Sequence, residues 1–152
     1  MSNGLDGVSF LNADGRPLVS ALGRYLEAQN INDGVLVLCL NKERVSELDD
    51  GLWAFDPASF LAHGAEGEND STEHPVWIST TEPNDFRSRL IVVDDAAPTD
   101  WARYSKCAYL FDAQDPSARE NARSRWRQWT EDGKRLAYWN FDGENWQLKD
   151  QN

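Results

Sequence analysis

Apolar positions along the chain fall into short blocks whose spacing alternates between strand-like and helix-like. Val8-Ser-Phe-Leu11 is a brief apolar run before Asn12-Ala-Asp-Gly15, which predicts a strand followed by a turn. Leu18, Val19, Leu22, Tyr25 and Leu26 recur at helical spacing behind Pro17, a residue that a first helical turn tolerates. Gly34-Val-Leu-Val-Leu-Cys-Leu40 is apolar throughout, the pattern of a strand covered on both faces. Asn41 stands where it can cap a second helix, with Val45 and Leu48 on the apolar side. This alternation of strand and helix builds a parallel sheet.

The second half continues the pattern after a polar interruption. Residues 62–74 contain no core residue larger than alanine and are expected to form a solvated loop. Val76-Trp-Ile78 and Leu90-Ile-Val-Val93 read as strands on either side of the polar Glu82-Pro-Asn-Asp85 turn. Trp101 falls in a short helix, and Cys107-Ala-Tyr-Leu-Phe111 is a fifth strand. Asp115-Pro-Ser-Ala-Arg-Glu120 opens a long helix, with Asp115 or Ser117 as its cap, Glu120 in capping-box position and Pro116 in the first turn. That helix is expected to run to Asp132 and stop at Gly133. Leu136–Phe141, Asp142-Gly143 and Asn145-Trp146 predict a hairpin with a two-residue turn. No repeat or linker divides the chain, so one α/β domain spans residues 1–152, with a core of about 8–146 and a flexible tail at 147–152.

Charge changes the picture locally. Fifteen basic residues stand against twenty-six acidic ones, a formal net charge of −11, with an isoelectric point near 4.5. Such a chain is repelled by phosphate backbones, which argues against direct nucleic-acid binding. Yet six of the fifteen basic residues lie between Arg119 and Arg135, where only Glu120, Glu131 and Asp132 oppose them. No apolar run approaches the roughly 20 residues of a membrane helix, and the Met-Ser-Asn-Gly-Leu-Asp start lacks signal-peptide character. A cytoplasmic protein with no membrane partner is expected.

Familiar catalytic signatures are missing: no Gly-x-x-x-x-Gly-Lys phosphate loop, no Gly-x-Gly-x-x-Gly and no Gly-x-Ser-x-Gly elbow occur. The acidic stretch between His63 and His74 fits no metal-ligand spacing, so neither metal nor cofactor is expected. Cys39 and Cys107 both sit in apolar runs, as buried thiols do. The predicted helix from residue 116 to 132 is more informative. Arg119, Arg123 and Arg127 stand at i, i+4 and i+8, so their guanidinium groups form one stripe with Trp126 beside it. A cationic row flanked by an aromatic ring suits a carboxylate-rich peptide that also carries an apolar residue. The plainer reading is a solvated face whose arginines pair with Glu120, Glu131 and Asp132 while Trp126 and Trp129 serve the core.

The chain also resembles the chi-subunit family of bacterial DNA polymerase III. Leu48-Asp-Asp-Gly-Leu-Trp-Ala-Phe-Asp-Pro-Ala-Ser-Phe-Leu-Ala-His63 follows the family's Leu-Asp, Leu-Trp and Ser-Phe-x-x-His elements in order. Pro75-Val76 and Arg123-x-x-Trp126-Arg127 continue the likeness, which covers roughly residues 8 to 146. Two departures stand out: Ala62 replaces a common proline, and Phe10-Leu11 replaces a Phe-Tyr pair. The resemblance implies a three-layer Rossmann-like fold, a mostly parallel sheet with helices on both faces. It implies a non-catalytic adaptor of the DNA polymerase III holoenzyme in replication. Such proteins tie the clamp loader, through psi or its replacement, to single-stranded DNA-binding protein, whose acidic C-terminal tail ends in Ile-Pro-Phe. Carried onto this chain, the tail site comprises Trp53, Phe60, Arg123, Trp126 and Arg127, with Arg119 alongside. The alternatives are an adaptor for a repair helicase and, on the fold alone, a nucleotide or small-molecule enzyme.

Overall fold

Strand and helix alternate much as the apolar pattern predicts. The computed structural model describes residues 7–29, 31–55, 63–67, 71, 74–85 and 87–152. In chain order the elements are β1 (Gly7–Asn12), α1 (Leu18–Glu27), β2 (Val35–Leu38), α2 (Lys42–Phe55), β3 (His63–Ala65), β4 (Val76–Ser79) and β5 (Arg89–Val93). They continue with β6 (Lys106–Phe111), α3 (Pro116–Glu131), β7 (Arg135–Phe141) and β8 (Trp146–Gln151). The strands form one sheet in the order β3-β4-β2-β5-β6-β1-β7-β8. Every neighbouring pair is parallel except the terminal hairpin β7–β8. No helix among the described residues is long and apolar enough to cross a membrane.

The inner strands are apolar without interruption because both faces of the sheet are covered. Alternate residues divide between two cores, as the two-residue period of a strand requires. Val35, Val37, Ile91, Val93 and Leu110 join α1 and α2 on one face. Leu36, Leu38, Leu90, Val92 and Tyr109 join α3 on the other. Helices lie on both sides for a topological reason. Right-handed crossovers toward the β3 edge (β1–α1–β2 and β2–α2–β3) and toward the β8 edge (β6–α3–β7) place their helices on opposite faces.

Local chemistry sets the helix ends. Asn41 caps α2 by accepting the Arg44 N–H at 2.9 Å. At α3 the cap is Asp115, whose carboxylate accepts the N–H of Ser117 at 3.0 Å and of Ala118 at 3.4 Å. Pro116 takes the first helical position. Gly133, at φ +81°, ends the helix in the left-handed conformation that glycine adopts without penalty.

Three local expectations are corrected. Within the segment expected to be a loop, His63–Ala65 is the edge strand β3, with all three residues buried. Gly64 suits this strand because a Cβ there would fall 2.6 Å from the His74 ring. The hairpin turn is centred one residue later than expected, on Gly143-Glu144, because the Asp142 N–H donates to the Asn145 carbonyl at 3.1 Å. Residues 147–151, expected to be a flexible tail, are strand β8, and Asn152 Oδ1 accepts the Leu136 N–H at 2.7 Å.

Candidate functional site

On the α3 face, near the β7–β8 edge, helix and sheet diverge to leave an open groove of about 320 Å³. Its floor is aromatic. Phe10 and Phe111 reach it from β1 and β6, and Tyr138 from β7. Trp126 closes the apolar part from the helix side, its ring edge-to-face with Phe10 (centroids 5.2 Å, 68°) and with Tyr138 (6.2 Å, 72°). Arg119, Arg123 and Arg127 line the helical wall, and Asp150 of β8 stands on the strand side. Trp126 is half-buried, whereas Trp129 is a core residue at 5 % exposure.

The basic residues of α3 differ sharply in what holds them. Arg125 Nε donates to Asp95 Oδ1 at 3.0 Å, and its guanidinium lies 5.7 Å above the Trp129 ring. Arg127 meets Glu120 only at 3.8 Å, with both side chains about two-thirds exposed, a contact worth about 0–1 kcal/mol. Arg119 donates to the Ala113 carbonyl at 3.3 Å. Among the described residues, Arg123 has neither ion pair nor hydrogen bond. It stands near the Tyr138 phenol: burial, the largest influence, pushes that group up, and the Arg123 charge partly opposes it.

The groove unites four of the six expected site residues, Arg119, Arg123, Trp126 and Arg127. Trp53 is not among them. It projects from α2, whose buried Val45, Leu48 and Leu52 pack on the opposite face of the sheet. Its ring lies against that of buried His63, centroids 4.3 Å apart, on the edge strand farthest from β8. Phe60 lies outside the described residues. Of the expected wall of Trp53, Phe60 and Trp126, the described residues bring Trp126 to the groove, where Phe10, Phe111 and Tyr138 surround it. Strand alternation marks Phe10 and Phe111 as sharing a sheet face; Asp150 carries no comparable signal in its polar surroundings.

A second cleft, about 470 Å³, opens past the carboxyl ends of the strands, where nucleotide-binding sheets hold their ligand. Glu47, Asp94, Asp112 and Asp115 line it. Its arginines are already engaged. Arg44 grips Asp94 through Nε at 2.7 Å and Nη2 at 3.2 Å, and Arg16 donates to the Phe141 carbonyl at 3.0 Å. An anionic phosphate has no reason to enter. Burial pushes the Cys107 thiol up to about 12, so it is protonated at neutral pH and unsuited to nucleophilic work.

Comparison with known proteins decides the family. The family model described as DNA polymerase III chi subunit, HolC, matches residues 10–137. The chain belongs to the DNA polymerase III chi subunit family. The DNA polymerase III subunit chi of Haemophilus influenzae is 29% identical over 113 residues, covering 73% of this chain and 74% of that protein. Its Pseudomonas aeruginosa counterpart is 32% identical over 100 residues, or 65% and 68% of the two chains. Membership makes the protein an accessory subunit of the replication polymerase rather than a catalytic one. The matched region takes in Phe10 of β1, all of β6 and all of α3, which supply most of the groove.

Proposed function

We propose that the groove receives the acidic C-terminal tail of single-stranded DNA-binding protein and so links that protein to the clamp loader. The observation that carries the reading is Arg123, an arginine with no partner among the described residues beside an aromatic cradle. A guanidinium in that setting accepts a carboxylate through two parallel hydrogen bonds. Trp126 and Tyr138, both half-buried, offer ring surface to an apolar terminal side chain, backed from beneath by the buried Phe10 and Phe111. Arg119 and Arg127, both loosely held, extend the positive wall along further aspartates. A short peptide in such a groove binds at micromolar strength, about 8 kcal/mol. Family membership supports the connection to the polymerase, and a repair helicase in place of the clamp loader uses the same groove chemistry.

The test uses immobilised single-stranded DNA in three states: bare, coated with single-stranded DNA-binding protein, and coated with a version lacking its acidic tail. Binding is expected only to the second, because a chain of charge −11 is repelled by bare phosphates. Sub-micromolar binding to bare DNA, or equal binding to both coated forms, overturns the proposal.

A further inference from the structure

Asp150 is the acidic residue among the groove's lining side chains. It stands directly across from Tyr138 in the β7–β8 ladder, and cross-strand neighbours project from the same face of a sheet. Its carboxylate is held by the Gln151 N–H at 2.8 Å and makes no ion pair among the described residues. The strand wall thus carries a negative charge while the helical wall opposite carries Arg119, Arg123 and Arg127. Neither wall neutralises the other.

That asymmetry has a consequence for any acidic ligand. A groove with cations on every side accepts carboxylates at any position. With an anion on one side, a carboxylate passing β8 is repelled while one facing α3 is attracted, and like-charge juxtaposition disfavours the wrong register. An aromatic floor filled by an apolar terminal side chain fixes one end of the ligand. The position of its acids then decides whether they meet arginine or Asp150.

We propose that Asp150 is the specificity-determining residue of the groove, selecting acidic peptides whose side-chain carboxylates are gathered away from the apolar terminus over peptides with acidic side chains throughout. The inference rests on the acidic-peptide reading of the groove and adds its selectivity. Asp150 belongs to β8, which lies beyond the residues that the family model matches. The selectivity thus rests on a strand outside the matched region.

Calorimetric titration of two synthetic peptides of equal length and equal number of aspartates, both ending in Phe with the same amidated C-terminus, tests it. One has its aspartates clustered upstream of uncharged residues, and the other has aspartates up to the Phe. The parent protein should prefer the clustered peptide. Asp150→Asn should tighten the uniformly acidic peptide by roughly three- to tenfold and the clustered one by less than about twofold. Asp150→Lys should carry the same change further. Since the side chain is exposed, both variants should keep the parent's melting temperature. Unchanged discrimination in Asp150→Asn, while Arg123→Ala still weakens both peptides, overturns the role of Asp150 alone. Indifference of both peptides to Arg123→Ala overturns the receptor reading together with it.

Discussion

Arg123 and Arg125 are two positions apart on α3, yet the fold uses one and leaves the other facing the groove. A separation of two residues turns a helix through about 200°, so the side chains leave from nearly opposite sides. Arg125 meets Asp95, which also accepts the Tyr109 hydroxyl at 2.7 Å. The adjoining Asp94 grips Arg44 of α2 from the other face of the sheet. Asp94 and Asp95 both occupy the left-handed region, at φ 58° and 62°, an uncommon conformation for residues other than glycine. Paired partners on both faces accompany this backbone, and the two aspartates clasp the helical layers at the end of β5. Toward β8, Arg123 makes no such pair among the described residues, and Asp150 stands across the groove from it.

Trp126 sits on the boundary between these regions and should show the largest combined effect. Its ring packs on Phe10 and Tyr138 while forming part of the groove. Trp126→Ala should cost about 2–4 kcal/mol of stability, less than a fully buried tryptophan, and at least tenfold in peptide affinity. Denaturant unfolding and peptide titration check the two losses separately, and a loss of only one moves Trp126 wholly into one region. Arg125→Ala should cost about 1.5–3 kcal/mol, the value of a hydrogen bond between charged groups, lowering Tm by roughly 3–10 °C. Peptide affinity should stay within twofold of the parent. A weakened peptide with an unchanged Tm merges the two regions.

A smaller effect should appear at high pH. Burial foremost, then the hydrogen bond to Asp95, pushes the Tyr109 phenol well above its ordinary value of 10.0. Above pH 10 the unfolded chain releases that proton while the folded chain retains it. The stabilisation is therefore fully present below pH 10 and is lost as pH rises toward the folded value. Tyr109→Phe should flatten this alkaline decline in a pH series of thermal melts. An unaltered decline places its origin in other tyrosines.

The apolar pattern disclosed the buried architecture because covered strands and amphipathic helices write it directly into residue order. The edges were less legible. β3 is three small or polar residues, too short to show a period. β8 is exposed along nearly its whole length, so nothing in Gln147, Lys149, Asp150 and Gln151 alternates; pairing with β7 makes it a strand. The arginine stripe and Trp126 were legible because i, i+4 and i+8 spacing fixes one helix side. The distance of Trp53 from the groove was not legible, because spacing within α2 does not say which face of the sheet that helix covers. Crossover direction decides that, and it emerges only with the strand order.

On the proposed reading, Arg123 faces the groove for a ligand's carboxylate. The most direct test is calorimetric titration of a short acidic peptide ending in Phe against the parent and Arg123→Ala, with thermal melts of both proteins. The variant should form a ten- to hundredfold weaker complex, about 1.4–2.7 kcal/mol, with the two Tm values alike because an unpaired exposed arginine contributes little to folding. Equal affinity for both proteins, or a variant that binds as well as its parent but melts several degrees lower, contradicts that reading.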